Sequence, residues 1–337
     1  MRGLRIALLG LVIIGLLLGA GCAQKPAEET AKLKVAVVFP ERISGSQFWE
    51  LINDGAEQAA AEFGDKIELK IVESTGLEEC EENLRAMAKA GYDLVCTGAF
   101  NTATILEKIA GEFPDTKFLT VDASIDLPNI RSALFREHEG TFQMGMLAAL
   151  MSKSGKVGYV GATDSPFGTR WAYGYEQGAQ YVNPDIQVFD ARVGGYNDPA
   201  RAKELAFAHF SQGCDVIQAA AAGGNYGVFE AAKEKGFYTF SVDIDECHLD
   251  PEHIIGSMVK RSDVAVYDGI KGLVEGGFES GAHSYGVKEG GVGLCLLLFD
   301  DHPENAVPQD VLDQIDAARE KIASGEIEVI DYVQLQQ

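Results

Sequence analysis

The sequence predicts an α/β protein of two lobes, each built on a parallel sheet flanked by helices. From Leu33 onward, short β-rich runs alternate with longer helical patterns, and this alternation restarts near residue 137. Alternating strands and helices give parallel sheets with crossover helices. Roughly 300 residues follow the N-terminal segment, which is enough for two lobes with separate cores. Open α/β sheets bind ligands at the carboxyl ends of their strands, so we expect the ligand in the cleft between the lobes.

The first series of elements predicts lobe 1. A β-rich run at 34–39 precedes an apolar stripe at helical spacing that begins at Phe48 and ends at Phe63. Gly91 stands where a helix should end in a left-handed residue. The remaining elements of this series are strands at 67–72, 93–96 and 118–121 and helices at 84–90 and 102–112.

The second series predicts lobe 2. It contains a helix at 142–150, a strand at 156–160, and three helix and strand pairs at 171–189, 199–220 and 227–242. Asp198 before Pro199 is typical of a helix start. A strand at 254–259, a helix at 262–273 and a strand at 294–299 remain, and we expect them to cross back and complete the lobes. Lobe 1 is thus predicted as 33–136 plus about 259–292, and lobe 2 as 137–258 plus about 293–337.

The N-terminus indicates an extracytoplasmic protein. Arg2 and Arg5 precede an apolar run at 6–18, which is shorter than the ~20 residues of a membrane span and is typical of a signal peptide. Small residues at 19–21 lead to Cys22, as in bacterial lipoproteins. We therefore predict a signal peptide at 1–21, a lipidated Cys22 with a flexible tether at 22–32, and a membrane-anchored domain. The alternatives are an ordinary secretory peptide and an uncleaved anchor.

Composition and motifs argue against several function classes. The net charge is −23, which argues against nucleic-acid partners. No dinucleotide, P-loop or nucleophile-elbow motif occurs in its required context, so we expect no cofactor and no catalytic residue. Asp243 and Asp245 with His248 and His253 fit no compact ligand spacing, so no metal site is predicted.

The cysteines other than Cys22 give no clear pairing. Cys96, Cys214 and Cys295 lie in apolar runs and are interpreted as buried free thiols. Cys80 and Cys247 are the candidates for a bridge, but no motif pairs them.

Aromatic and charged residues at predicted strand and helix junctions form the candidate binding site. Phe48 begins the first helix and Tyr196 lies in a turn; Asp122 and Asp243 end strands, and Lys260 begins the helix after the crossing. Rings from opposite lobes can sandwich a flat heterocycle, while carboxylates and a lysine can bond sugar hydroxyls. Each residue also has a structural alternative: a core ring for Phe48, helix caps for the aspartates, and a solvated lysine.

Six segments in chain order resemble motifs of the basic membrane protein family of lipoprotein nucleoside receptors. They are residues 139–149 ("EEGsFlAGylA"), 155–161 ("GKvGfvGG"), 196–199 ("gsFnDp"), 215–229 ("aDvi…aaG…Gvf"), 242–245 ("GVDsDQ") and 257–261 ("tSmvKr"). The resemblance covers nearly the whole chain after the N-terminal segment.

The resemblance implies a type I periplasmic-binding-protein fold and delivery of a purine nucleoside to an ABC transporter permease. By matching position, Phe48 and Tyr196 would stack on the base. Asp122, Asp243 and Lys260 would hold the ribose or polar edges.

The chain departs from the family pattern before the first helix. The family reads "D…DkSFN" there, whereas residues 40–49 are one residue shorter and lack the loop aspartates. Trp49 replaces the asparagine and is counted as a ligand-binding residue, and Glu41 can substitute for one carboxylate. Transport of a solute is therefore a firmer expectation than a purine ligand. The alternatives are a receptor for a sugar or autoinducer-like solute and, less favoured, a nucleoside hydrolase.

Overall fold

The computed structural model describes residues 31–44, 46–299, 302 and 306–336. Lys32–Gln337 form one compact unit. The predicted signal peptide, Cys22 and nearly all of the tether lie outside the described residues. Within the described ranges, no helix is both long and apolar enough to cross a membrane.

The first sheet has six strands, all parallel, in the order β11-β5-β4-β3-β1-β2. Residues 35–39 of β1 are all buried, as expected for a strand covered by helices on both faces. The strands are β1 (Leu33–Phe39), β2 (Ile67–Glu73), β3 (Leu94–Gly98), β4 (Lys117–Val121), β5 (Ile130–Phe135) and β11 (Gly281–Tyr285).

The second sheet repeats this order as β12-β10-β9-β8-β6-β7. Its strands are parallel except for β12, which pairs antiparallel with β10. The two sheets therefore share one strand order and differ in the direction of the edge strand. The strands are β6 (Lys156–Gly161), β7 (Gln187–Arg192), β8 (Val216–Ala220), β9 (Tyr238–Asp243), β10 (Ile254–Lys260) and β12 (Val292–Leu294).

Helices cover both sheets. One core cluster lies under α2 and α3 of the first sheet, and a second, larger cluster continues from α1 and α8 into the other lobe. The helices are α1 (Gln47–Phe63), α2 (Leu77–Lys89), α3 (Ala103–Glu112), α4 (Glu137–Met151), α5 (Pro166–Val182), α6 (Pro199–Ser211), α7 (Asn225–Lys235), α8 (Ser262–Val274), α9 (Cys295–Leu298) and α10 (Gln309–Ser324).

Local signals identified two helix ends. The Asp198 side chain accepts a hydrogen bond from the Arg201 backbone N–H at 2.9 Å, with Pro199 at the first position of α6. Gly91 follows α2 in the left-handed conformation, with φ 72°. Both predictions are confirmed.

One predicted residue position and one predicted strand near the end of the chain are wrong, whereas the strand at 254–259 and the helix at 262–273 are found as β10 and α8. Lys260 is the last residue of β10 and does not begin a helix, because β10 stays paired with β12 up to Lys260 and Val292. The predicted strand at 294–299 stops at Leu294 and becomes α9. The Ser257 backbone N–H donates to Cys295 Sγ at 3.2 Å, so the ladder has no further carbonyl partner there.

The five described cysteines are free and buried. This confirms buried thiols at Cys96, Cys214 and Cys295. Cys80 and Cys247 are not bridged: Cys80 belongs to the core under α2, and Cys247 lies beside Cys295 with an Sγ–Sγ distance of 3.6 Å.

The chain passes between the two sheets after β5, after β10 and after β11. The crossings are hydrogen-bonded to one another: Arg136 N–H donates to the Tyr285 carbonyl at 2.9 Å, and Arg261 N–H donates to the Gly291 carbonyl at 2.8 Å. The Arg136 guanidinium also donates to the Ser284 carbonyl at 3.0 Å. These contacts hold the connecting segments side by side at one edge of the cleft.

Candidate functional site

A cavity of about 950 Å³ lies where residues at the carboxyl ends of both sheets meet. Residues that follow β3 and β4 supply one wall, and residues that follow β6, β7 and β8, with the end of β9, supply the other. A cavity of this size holds a small organic ligand. The strand ends therefore form a binding site of the kind that the alternating pattern predicts.

Four cavity residues have unusual backbone conformations. Among the described non-glycine residues, positive φ angles occur at Ala99 (70°), Asp122 (61°), Ala222 (49°) and Asp243 (69°), and all four line the cavity. They form two equivalent pairs, after β3 and β8 and at the ends of β4 and β9. Such conformations cost of order 1–3 kcal/mol each and cluster at functional sites. The surrounding fold imposes this strain at the cavity.

A buried lysine joins the two lobes at this point. Lys260 is only 5% exposed, and its Nζ lies 2.6 Å from Asp122 and 3.2 Å from Asp243. Burial alone would lower the pKa of Lys260, but Asp122, Asp243 and Glu137 outweigh burial and raise it. The lysine therefore stays charged. The Asp243 atom near the lysine is Oδ1, which is buried and receives no hydrogen bond from any other residue that the structure describes, so it can also accept from a ligand.

A second group of ion pairs, formed by Arg170 with Asp331 and Glu137, also lines the cavity. Arg170 donates to both oxygens of Asp331, at 2.8 and 2.7 Å, and to Glu137 at 3.1 Å. Burial raises the pKa of Glu137 from 4.5 to about 7, although Lys260 and Arg170 oppose this rise. Burial also lowers the pKa of His138 to about 4, so its imidazole is neutral at neutral pH. Glu137 is thus the cavity carboxyl poised to exchange a proton near neutrality.

Aromatic rings line much of the remaining wall. The Lys260 ammonium lies 5.6 Å from the ring centre of Phe48, 5.7 Å from Phe135 and 5.9 Å from Trp171. These contacts are within the range of cation–π attraction. Three further rings at the cavity are largely exposed: Phe100 (75%), Phe167 (45%) and Tyr196 (49%).

Five of the six predicted ligand-binding residues line the cavity: Phe48, Asp122, Tyr196, Asp243 and Lys260. The structure places the sixth, Trp49, behind Phe48, where it is 3% exposed and packs edge-on against that ring at 4.7 Å. Its indole N–H donates to Glu41 at 2.6 Å. Trp49 and Glu41 therefore bind each other, and neither is among the lining residues.

Sequence reasoning missed the aromatic and ion-pair residues contributed by other junctions. Phe100 follows β3. Phe167, Arg170 and Trp171 lie in the first turns of α5, and Glu137 is the first residue of α4. A signal for Phe100 and Phe167 was present, since both follow parallel strands at their carboxyl ends. No local pattern marks Arg170, whose partner Asp331 is 161 residues away.

Comparison with known proteins identifies the family. The family described as "ABC transporter substrate-binding protein PnrA-like" (Bmp) matches residues 32–332. The chain belongs to this family. Basic membrane protein A2 of Borrelia garinii subsp. bavariensis is 31% identical over 330 residues, which is 95% of each chain. A protein of Brucella abortus named as purine-binding is 28% identical and aligns over 94% of this chain and 86% of its own.

A solved structure agrees with the fold of this Bmp-family protein. The ABC transporter solute-binding protein of Aeropyrum pernix K1 superposes with a TM-score of 0.70 at 29% identity, over 89% of this chain and 93% of the other. The predicted family and the two-lobed periplasmic-binding-protein fold are confirmed. The protein is a substrate-binding protein for ABC import, and proteins of this class act outside the cytoplasm.

Proposed function

We propose that the solute of this Bmp-family protein is a purine nucleoside, which the cleft captures and delivers to an ABC transporter permease. The single observation that carries this proposal is the Asp122–Lys260–Asp243 group. It presents a buried carboxylate oxygen, Asp243 Oδ1, that has only the Lys260 ammonium beside it among the described donors, in an aromatic-walled cavity. Vicinal sugar hydroxyls donate to carboxylates, and a flat base stacks on rings. The purine-binding relative in Brucella abortus supports this ligand class.

The charge of the cavity favours a nucleoside over a nucleotide. Among the described residues, five carboxyl groups line it against three basic side chains, and all three of these basic side chains are already paired with carboxylates. A phosphate would place added negative charge beside these carboxylates without a free cation. A neutral ligand with hydroxyl and amide-like edges avoids this repulsion.

We also propose that the protein works at the membrane surface. Its apolar N-terminal run, followed by small residues and Cys22, supports a lipid anchor with the binding lobes on the extracytoplasmic face. Anchoring would keep the loaded protein close to its permease.

Calorimetric titration of residues 32–337, stripped of copurified ligand, tests the ligand class. The panel contains adenosine, guanosine, inosine, cytidine, uridine, free bases, ribose and other sugars. Removing a charged hydrogen-bond acceptor costs about 1.5–3 kcal/mol. Asp243→Ala should therefore weaken purine-nucleoside binding about tenfold to a hundredfold. Asp115→Ala, at an exposed position away from the cavity, should leave binding unchanged.

A second candidate, a receptor for another small polar solute, rests on the altered segment before α1. There Trp49 and Glu41 are bonded to each other and do not line the cavity. Binding of a sugar by protein that ignores every nucleoside would establish this second function and overturn the first.

A further inference from the structure

We propose a zinc site in lobe 2, formed by Asp245, Cys247, Cys295 and His302. None of these residues is among the cavity lining, so the site is separate from the proposed nucleoside site. The four residues come from three places in the chain: the segment after β9, the start of α9, and the connection that follows α9.

Three of the four ligand atoms lie close together, and the fourth, Cys295 Sγ, contacts one of these three. Single ligand atoms of Asp245, Cys247 and His302 all lie within 4.8 Å of one another. His302 Nε2 is 2.8 Å from Asp245 Oδ2, and Cys247 Sγ is 3.6 Å from Cys295 Sγ. Zinc binds thiolates at about 2.3 Å, so two sulfur ligands of a tetrahedral ion should lie about 3.8 Å apart. The observed sulfur separation is near this value.

The surroundings orient these ligands. The Ser257 backbone N–H donates to Cys295 Sγ at 3.2 Å, and the Ser257 hydroxyl lies 3.9 Å from Cys247 Sγ. The Cys247 backbone N–H donates to Asp245 Oδ1 at 3.0 Å, which leaves Oδ2 facing His302. The donor to Cys295 Sγ and the donor to Asp245 Oδ1 are outer contacts of the kind that hold metal ligands in place.

The chemistry of the four side chains selects the ion. Two thiolates, an imidazole and a carboxylate suit zinc, whereas magnesium and calcium prefer oxygen ligands alone. Cys247 and Cys295 are 6% and 0% exposed, while Asp245 and His302 are partly exposed. This arrangement gives a buried sulfur side and an accessible entry side. A disulfide between the two cysteines is the rival, and it would remove both thiolate ligands from the ion.

The site also has a structural consequence for the cleft. Asp245 lies two residues after Asp243, and Cys295 directly follows β12, which pairs with the end of β10 that carries Lys260. An ion here would join the strand ends that present these two cavity residues.

Elemental analysis of the full chain tests the site. The chain is purified in detergent under reducing conditions, given zinc, and dialysed without chelator. We expect about one zinc per chain, and loss of most of this zinc in Cys247→Ser and His302→Ala, because each variant removes a ligand. Cys214→Ser, which alters a buried free thiol of the same lobe, should retain the ion. His302→Ala removes a partly exposed side chain, so it tests the site even if the cysteine variant does not fold.

Cobalt substitution adds a spectroscopic test. Co²⁺ should give thiolate-to-metal charge-transfer bands and tetrahedral d–d absorption in the wild type and in Cys214→Ser, but not in His302→Ala. Three outcomes would overturn the proposal: a metal-free chain whose described thiols all react as free, a Cys247–Cys295 disulfide found by mass spectrometry in protein purified without reductant, or zinc retained in both ligand variants.

Discussion

At the scale of single residues, the centre of the site is one lysine that forms ion pairs with two aspartates at equivalent positions of the two sheets. Asp122 and Asp243 end equivalent strands, share a left-handed backbone, and both contact Lys260 Nζ. Aspartate is among the residues that tolerate this conformation best. Burial raises the pKa of Asp122 more than the lysine lowers it, so one cation does not compensate all the acids around it. A proton on a nearby carboxyl relieves the excess charge.

Glu137 is the carboxyl whose titration should be measurable. Its pKa is higher in the folded state, about 7, than its usual 4.5, so the folded protein binds the proton more tightly than the unfolded chain. Its contribution to the free energy of unfolding is therefore largest below pH 4.5 and falls as pH rises to about 7. In Glu137→Gln this loss is absent. As pH rises from 4.5 to 7.5, the free energy of unfolding of the variant should therefore increase by up to about 3 kcal/mol relative to that of the wild type, measured by urea unfolding.

Asp331, the other partner of Arg170, provides the control. Although burial opposes it, hydrogen bonds from Arg170 and the Val333 backbone lower the pKa of Asp331 below 3.8. Its contribution to stability is thus present above that pH and is lost as pH falls through the lowered value. The difference between Asp331→Asn and the wild type should stay constant from pH 4.5 to 7.5. Equal pH slopes for the wild type and Glu137→Gln would show that Glu137 does not titrate in this range.

At the scale of elements, the sequence predicts strands and helices where one physical cause dominates. The buried run of β1 and the Asp198 cap of α6 are set by neighbouring residues, so both were predicted. The position of Lys260 in β10 and the helix α9 depend on pairing between segments far apart in the chain, so Lys260 was wrongly placed in a helix and α9 was wrongly predicted as a strand. In the same way, five site residues were predicted from strand ends, but the Arg170–Asp331 pair required the fold.

The packing of α4 on α5 gives a prediction at this scale. A Cβ at Gly145 of α4 would lie 1.9 Å from the Tyr175 carbonyl oxygen and 2.7 Å from the Ala179 nitrogen of α5. The backbones of the two helices must separate to accommodate it. Gly145→Ala should lower the free energy of unfolding by about 1–3 kcal/mol in chemical denaturation.

Gly111 of α3 is the matched control, because a Cβ there meets no atom within 4 Å. Alanine favours the helix over glycine by about 0.8–1.0 kcal/mol, so Gly111→Ala should stabilise the protein. A Gly145→Ala variant as stable as the wild type would contradict the view that the close approach of α4 and α5 requires glycine at position 145.

At the scale of the whole molecule, two copies of one sheet order face each other across a cleft and are joined by three adjacent segments. Such a connection allows the lobes to rotate about one edge while each core stays intact. Lys260 lies at the end of β10, where the chain leaves lobe 2, and contacts an aspartate of each lobe. A ligand held by both aspartates would therefore favour the arrangement in which the lobes are closest.

Closure on the ligand is the prediction that follows. Phe100 and Tyr196 lie on opposite walls of the cavity and are 75% and 49% exposed, so apolar ring surface remains to be buried when the lobes approach. Saturating ligand should reduce the radius of gyration in small-angle X-ray scattering, and binding should show a negative heat-capacity change. The ligand concentration is chosen to saturate the wild type while lying below the dissociation constant of Asp243→Ala. At this concentration the variant should keep the scattering curve of the ligand-free protein. Full occupancy of the wild type with an unchanged curve would mean that the lobes do not close, and that the permease must recognise the loaded protein by some other difference.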